Sequence, residues 1–293
     1  MIGKPYFNLN KQIDWKVLCS NQNTIYILEQ NLDKIDWFYL SRNPNAIHIL
    51  EQNLDKINWY ALSSNPNAIS ILEQNIDKID WIILSYNINA IHLIEQHLDK
   101  INWYALSCNP NAISILETNL DKINWIALSC NPCAIHLLEK NLDKVSWYGL
   151  SMNENAISIL EKNLDKINWR YLSKNSNAIH ILEHNLNKIN WNFLSCNSSA
   201  IKLLEKHLDK INWYYLSNNP NAIHILEQNI NKIDWDLITT NPNAIHLLAT
   251  LDYEKMKNHQ FNQELLSYVM NPKRLLNLCK SYDITFEELV EYY

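Results

Sequence analysis

Histidine recurs in this sequence at a fixed spacing, which raises the possibility of metal binding. Eleven residues after successive tryptophans come His48, Ser70, His92, Ser114, His136, Ser158, His180, Lys202, His224 and His246. A metal site needs several ligands around one ion. Stacked helical repeats would hold successive members roughly 8–10 Å apart, and Ser or Lys separates most of the histidines. We therefore interpret this column as polar outer-face residues and predict no metal site.

Cys130 and Cys133 form the single CxxC motif of the chain. A structural zinc site of this type needs a second pair of ligands, and a redox CxxC usually lies in a βαβ context. Neither is present. The six cysteines give no disulfide framework, so we expect a reducing compartment; they are Cys19, Cys108, Cys130, Cys133, Cys196 and Cys279.

Glutamate and lysine also recur once per repeat, from Glu29 to Glu227 and from Lys34 to Lys232, each Lys five residues after a Glu. We interpret them as paired, solvated ladders, which contribute little each. Acid–base catalysis needs one pair of carboxylates in a distinct environment, and equivalent pairs offer none. Phosphate-loop, nucleophile-elbow and metalloprotease motifs are missing. We predict no catalytic residue, no cofactor and no enzymatic activity.

The spacing of tryptophan shows which elements position these columns. The eleven tryptophans follow one another at one constant interval and are Trp15, Trp37, Trp59, Trp81, Trp103, Trp125, Trp147, Trp169, Trp191, Trp213 and Trp235. A fixed short period is typical of a solenoid. We expect the ladder of Trp37, Trp59, Trp81, Trp103, Trp125, Trp147, Trp169, Trp191 and Trp213 to be the main structural spine between repeats, because a buried Trp covers about 150–250 Å².

Each repeat, such as LDKINWYALSSNPNAISILEQN from residue 54 to 75, is predicted to form two short helices. Asp55 is the expected cap of the first, which we place at about 55–63 and expect to be buried because it is apolar nearly all round. Asn65 should cap the second, with Pro66 in its first turn. Asn75 should end it in the left-handed conformation.

The predicted fold is an all-α solenoid of about eleven 22-residue two-helix repeats with a helical C-terminal cap. Its expected parts are an N-terminal cap at 1–14, the tandem-repeat solenoid at 15–250 and the C-terminal cap at 251–293. Only two glycines occur, which argues against hairpins and β-sandwiches.

Variable positions one and five residues after Trp share a helical face and contain many aromatic and aliphatic residues. In a repeat scaffold the constant positions hold the fold, so these can hold a partner; equally, the variation can mark solvent-exposed or loosely packed positions. The candidate protein-binding stripe consists of Phe38, Tyr60, Ile82, Tyr86, Tyr104, Ile126, Tyr148 and Tyr214.

Charge and hydropathy limit the classes of partner. A net charge of −6 argues against nucleic acid and acidic membranes. No apolar run approaches the roughly 20 residues of a membrane span. The start, Met1 to Pro5, lacks the apolar region of a signal peptide, so we expect a chain that is not secreted.

The repeat motif, Asn-Pro-Asn-Ala-Ile-x-x-Leu-Glu-x-Asn-Leu-Asp-Lys-Ile-Asn-Trp-x-x-Leu-Ser, resembles the 22-residue tandem-repeat proteins of mimivirus-like giant DNA viruses. Residues 43–63 match it almost letter for letter, and the resemblance covers roughly 15–250. The stretch Met270 to Leu276 also looks like the ends of such proteins. The resemblance implies an α-helical repeat protein expressed in an infected host cell, in the cytoplasm or the virion, and it brings no catalytic residues.

These observations favour a non-enzymatic scaffold for protein–protein interaction, viral in origin, with an unidentified protein partner, such as one of the host. One alternative is a substrate adaptor for a host ubiquitin ligase, recruited by the C-terminal helices. Another is helical-repeat RNA binding, which would need a basic groove. The sequence leaves the partner and the oligomeric state open.

Overall fold

The computed structural model describes residues 14–249, so the predicted N-terminal cap at 1–14, except for Asp14, and the predicted C-terminal cap at 251–293 lie outside this range. The chain divides after Lys166 into two compact units, which we call unit 1 (14–166) and unit 2 (167–249). The described residues are helical, with no strand among them. Both units are built from helix pairs that recur once per tryptophan interval, as an α-solenoid requires. The all-α repeat prediction is confirmed.

The helices of unit 1 are short and follow the tryptophan period. They are α1 (Trp15–Ser20), α2 (Ile25–Glu29), α3 (Trp37–Arg42), α4 (Ile47–Glu51), α5 (Trp59–Ser63), α6 (Ile69–Glu73), α7 (Trp81–Tyr86), α8 (Ile91–Glu95), α9 (Trp103–Cys108), α10 (Ile113–Glu117), α11 (Trp125–Ser129), α12 (Ile135–Glu139), α13 (Trp147–Met152) and α14 (Ile157–Glu161). Single 3₁₀ turns are found at Leu32–Lys34, Ile76–Lys78 and Pro110–Ala112.

Unit 2 repeats the same plan. Its helices are α15 (Trp169–Leu172), α16 (Ile179–Glu183), α17 (Trp191–Ser195), α18 (Ile201–Glu205), α19 (Trp213–Ser217), α20 (Ile223–Glu227), α21 (Trp235–Ile238) and α22 (Ile245–Ala249). Its 3₁₀ turns are Ser176–Ala178, Leu186–Lys188 and Ile230–Lys232. Odd-numbered helices begin at Trp and are called first helices; even-numbered ones are called second helices.

The first helix begins later than the sequence suggests. In the repeat at 54–75 it starts at Trp59, and its N-cap is Asn58, whose side chain accepts a hydrogen bond from the backbone N–H of Ala61. Asp55 lies in the preceding turn, so its prediction as the cap is wrong. Both residues are suitable N-caps, and the extended backbone of Asn58 decides between them.

The second helix also starts later than predicted, at Ile69 rather than Pro66. Asn65 does cap, but what it caps is the turn before the helix: its Oδ1 accepts from the N–H of Asn67 at 3.0 Å. Asn75 does not take the left-handed conformation, since its φ is −136°. Instead its side-chain amide donates to the carbonyl of Ile71, 2.8 Å away, so a side chain satisfies the end of the helix.

First helices pack against one another in series: in unit 1 each odd helix from α1 to α13 contacts the next, and in unit 2 α17 contacts α19 and α19 contacts α21. Most of the fully buried apolar residues are leucines and alanines, for example Leu106, Leu128 and Ala134. Burial of one such leucine contributes roughly 1.5–3 kcal/mol.

The tryptophans from Trp15 to Trp235 are all partly exposed. They border the core and do not fill it, which differs from the buried spine expected from the sequence. The first helix is likewise not buried all round, because residues such as Tyr60 point to solvent.

A ladder of buried asparagines joins successive repeats. Asn109 is 1% exposed, and its side-chain amide donates to the carbonyl of Ser85 at 3.1 Å and to that of Asn87 at 3.2 Å. Equivalent bonds recur in both units, formed by Asn43, Asn65, Asn87, Asn131, Asn197, Asn219 and Asn241 among others. Because buried polar groups must be paired, each asparagine fixes the position of its repeat on the one before.

A buried serine completes each joint. The hydroxyl of Ser107 donates to the carbonyl of Trp103 at 2.7 Å and accepts from the backbone N–H of Asn124, in the next repeat, at 3.1 Å. Among the described residues, every buried side-chain nitrogen or oxygen has a partner. The joints are therefore rigid, polar and fully satisfied, and they hold the first helices in a fixed row.

Candidate protein interface

The candidate stripe lies on the exposed side of the first helices. Tyr60 is 54% exposed, Tyr104 51% and Ile126 64%, and Ile82 and Tyr148 are also exposed. These residues all follow a Trp directly, and their helices, α5 to α13, pack in series. Equivalent positions on successive helices of one stack therefore form a row on the surface of unit 1.

Members of the stripe on neighbouring helices are close enough to influence one another. Tyr86 belongs to α7 and Tyr104 to α9, and burial together with the charges of Cys108 and Tyr104 raises the pKa of Tyr86. Phe38, at the start of the row, is only partly exposed and packs edge-on against Tyr39, with 5.3 Å between ring centres. The candidate residues of unit 1 thus form one mostly aromatic and aliphatic surface.

In unit 2 the positions directly after Trp include polar and charged residues. The positions after Trp169 and Trp191 hold Arg170 and Asn192, and the aromatic character returns at Tyr214, which is 53% exposed. Tyr214 packs edge-on against Tyr215, with 5.2 Å between ring centres. The residue two after Trp also grows, from Ala or Gly in much of unit 1 to Tyr171, Phe193 and Tyr215.

The lysine column serves a purpose that the sequence interpretation missed. Each lysine from Lys34 to Lys232 holds its ammonium group over the ring of the tryptophan of the repeat before, at 4.5–5.3 Å from the centroid, as Lys122 does over Trp103. This is cation–π geometry. One face of each of these ten tryptophans is therefore occupied by a cation of the next repeat.

The histidine column pairs with the glutamate column across repeats. His48 Nε2 lies 2.6 Å from Glu29 Oε1, His224 pairs in the same way with Glu205, and His136 with Glu117. These groups are about half exposed, so each pair contributes little to stability. No group of three or more histidine, cysteine or acidic side chains that could hold a metal ion occurs within residues 14–249.

The thiols sit in different surroundings. Cys19 is fully buried, and burial raises the pKa of its thiol. Cys108, Cys130 and Cys196 occupy the same repeat position, and burial raises the pKa of all three. A raised pKa lowers the thiolate fraction and with it the nucleophilicity. All five cysteines of the described range are free.

Comparisons with protein-family models, with curated proteins and with solved structures gave no match to this chain. Within residues 14–249, no helix has the length and apolar character needed to cross a bilayer.

Proposed function

We propose that this chain is a non-enzymatic repeat scaffold that binds a protein partner along the exposed stripe of unit 1. The observation that supports this best is the row of exposed aromatic and aliphatic side chains at Tyr60, Ile82, Tyr104, Ile126 and Tyr148. Large contiguous apolar patches are uncommon on monomeric proteins and mark interaction sites. Tyrosine is also enriched among the residues that dominate binding energy.

The rigid joints support the same proposal. Each first helix is held by a buried asparagine and serine to the helix before it, as Asn109 and Ser107 illustrate. A row of side chains on such a support is already ordered before binding, so a partner loses little conformational entropy. Rigid presentation of a few anchors is what a binding scaffold supplies.

Two alternatives remain as proposals. Binding of RNA would use stacking on aromatic rings and a basic groove, but lysine already covers one face of the ten tryptophans from Trp15 to Trp213, and the chain has a net charge of −6. The ubiquitin-ligase adaptor hypothesis depends on the predicted C-terminal helices, which lie outside the described residues. The resemblance to giant-virus repeat proteins supports a viral origin and a partner in the host cell.

The test compares two exposed tyrosines of unit 1 that lie on different helices. Tyr104 belongs to the stripe, whereas Tyr26 is 58% exposed on a second helix. We expect Tyr104→Ala to weaken binding of a partner captured from host lysate by about 2 kcal/mol or more, as at an interface hot spot. Tyr26→Ala should leave it unchanged.

Melting temperature is measured on the same samples. Loss of partner by Tyr104→Ala with an unchanged melt supports the stripe. A partner that binds both variants as tightly as the original protein contradicts it. A lowered melt with affinity retained by the folded protein would show that Tyr104 stabilises the fold and does not bind.

A further inference from the structure

Unit 2 carries a shallow groove that the stripe does not include. It has a volume of about 230 Å³ and is lined by Arg170, Asn190, Asn192, Phe193, Cys196 and Tyr215. These residues belong to α15, α17 and α19 or, as Asn190 and Cys196 do, directly precede or follow α17. They belong to the variable columns or to the N-cap position. The groove combines one cation, two aromatic rings and two side-chain amides.

Arg170 is held in position by aromatic rings. Its guanidinium carbon lies 5.0 Å from the centre of the Phe193 ring and 5.8 Å from that of Tyr171. At these distances the rings attract the cation through cation–π interaction. A guanidinium next to aromatic rings can still bind a carboxylate through two of its five N–H donors.

A second donor lies in the same groove. Asn192 Oδ1 accepts a hydrogen bond from Asn212 Nδ2 at 2.8 Å, which fixes the amide with its own NH₂ group directed away from that contact. Asn192 is exposed, so this NH₂ group is accessible. Lys174 adds positive charge nearby, because it opposes the rise that burial causes in the pKa of the Cys196 thiol.

We propose that this groove binds an acidic side chain of a partner protein, with Arg170 and Asn192 donating to the carboxylate. Apolar residues that flank the acidic one would lie on the rings of Phe193 and Tyr215. The inference rests on the proposed function, since it names the chemistry of one contact of a protein partner. It adds a polar anchor, on unit 2, to the apolar row on unit 1.

Protein fits this groove better than nucleic acid. A phosphate backbone is bound by a row of cations, with one neutralised phosphate per contact. In unit 2, Arg170 and Lys174 are each the one cation of their column within residues 167–249, and the regular lysines of the same unit lie over tryptophan rings, as Lys210 does over Trp191. A single carboxylate is enough to pair with Arg170, the one cation that lines the groove.

Three cysteines at one repeat position provide an internal comparison. Cys196 lines the groove, and Cys130 occupies the same repeat position in unit 1. One repeat earlier, the residue at this position is Lys174 before Cys196 and Cys108 before Cys130. The full chain is alkylated with iodoacetate, which is anionic, and with neutral iodoacetamide, and each site is quantified by mass spectrometry. At each site the rate with iodoacetate is divided by the rate with iodoacetamide, because this ratio cancels differences in exposure and in thiolate fraction between sites.

We expect this ratio to be on the order of threefold higher at Cys196 than at Cys130, because the local positive charge concentrates the anion. Arg170→Gln should lower the ratio at Cys196 toward that at Cys130. Lys202→Gln makes the same change in net charge on a second helix of unit 2 and should leave the ratio unchanged. Equal ratios at Cys196 and Cys130 in the original protein would overturn the proposal.

A direct measurement does not depend on thiol reactivity. Saturation-transfer NMR compares the peptides acetyl-Leu-Glu-Leu-amide and acetyl-Leu-Gln-Leu-amide on the full chain. Saturation of the Glu peptide should exceed that of the Gln peptide, and the excess should disappear in Arg170→Gln. Equal signals from both peptides, or displacement by an oligouridylate in place of the Glu peptide, would overturn the proposal. Neither result alters the Tyr104 test, which concerns the stripe of unit 1.

Discussion

The ammonium nitrogen of Lys122 lies 5.1 Å from the ring centre of Trp103, one repeat earlier in the chain. The two residues are constant in their columns, so this contact recurs along both units. It joins the positive charge of one repeat to the aromatic surface of its neighbour. It also gives ten of the tryptophans, from Trp15 to Trp213, a constant role although they are partly exposed to solvent.

Removal of this contact should have a small, specific cost. We expect Lys122→Ala to lower the free energy of unfolding by about 0.5–1 kcal/mol, the range for exposed cation–π pairs. Lys140→Ala is the matched control, because Lys140 is an exposed lysine that follows a second helix and stacks on no ring in the described residues. Urea unfolding gives the free energy of unfolding of both variants. Equal losses in the two variants would contradict a stabilising role for the contact between Lys122 and the Trp103 ring.

Core leucines should matter more than tryptophans. Leu128 is fully buried, whereas Trp125, three residues earlier, is partly exposed. We expect Leu128→Ala to cost about 2–5 kcal/mol through the cavity it leaves. Trp125→Ala should cost less, since part of its ring already contacts solvent. Denaturant unfolding gives the free energy of unfolding of both variants. A larger loss of stability in Trp125→Ala than in Leu128→Ala would show that the tryptophan ladder is the main spine.

In the asparagine ladder, a buried and an exposed asparagine of the same repeat can be compared directly. Asn109→Ala removes the donor for the carbonyls of Ser85 and Asn87 and the acceptor for the N–H of Asn111. Buried groups left unpaired cost about 1–3 kcal/mol each, so we expect a loss of at least about 2 kcal/mol. Asn111→Ala removes one exposed bond, to the carbonyl of Ile88, and should cost under about 1 kcal/mol. Similar melting temperatures for the two variants would show that the ladder does not hold the repeats together.

At Cys133, a substitution should stabilise the joint between two repeats. Asn67, Asn89 and Asn111 occupy this repeat position elsewhere, and each donates to a backbone carbonyl of the repeat before at 2.9–3.0 Å. A cysteine cannot make this bond well, so we expect Cys133→Asn to stabilise the protein by about 0.5–1.5 kcal/mol. Cys133→Ser, which is too short to reach, serves as the control. A rise in melting temperature with Asn alone would confirm the bond.

The sequence was enough to predict two helices per repeat, because Pro, Asn and the apolar arc around Ile69 are local signals. Contacts between repeats could not be predicted in the same way. In a strictly periodic chain, the spacing from Asn65 to Pro66 in its own repeat recurs as regularly as the spacing from Asn65 to Ser41 in the previous repeat. A pattern of constant columns therefore cannot distinguish a cap within the repeat from a bond to its neighbour. The structure shows that Asn65 makes both.

The candidate interface likewise contains residues that could be predicted from the sequence and residues that could not. Tyr104 and Ile126 could be selected from the sequence because they vary in type while their neighbours do not. Arg170 could not be, since its value depends on Phe193, a ring of the next repeat that positions its guanidinium. Variation identifies the surface, but the arrangement of two neighbouring variable residues becomes visible only when the repeats are packed.

The asparagine ladder bonds to backbone carbonyls and not to side chains, as Asn109 does to Ser85 and Asn87. These hydrogen bonds therefore form whatever side chains the variable positions of the neighbouring repeat carry. A gene of this kind can lose or gain the block of codons that encodes one repeat, by recombination between its own near-identical segments, and the new joint keeps the same backbone acceptors. The order of residues on the variable face can thus be shuffled, lengthened or shortened between generations without loss of the hydrogen bonds that join the repeats.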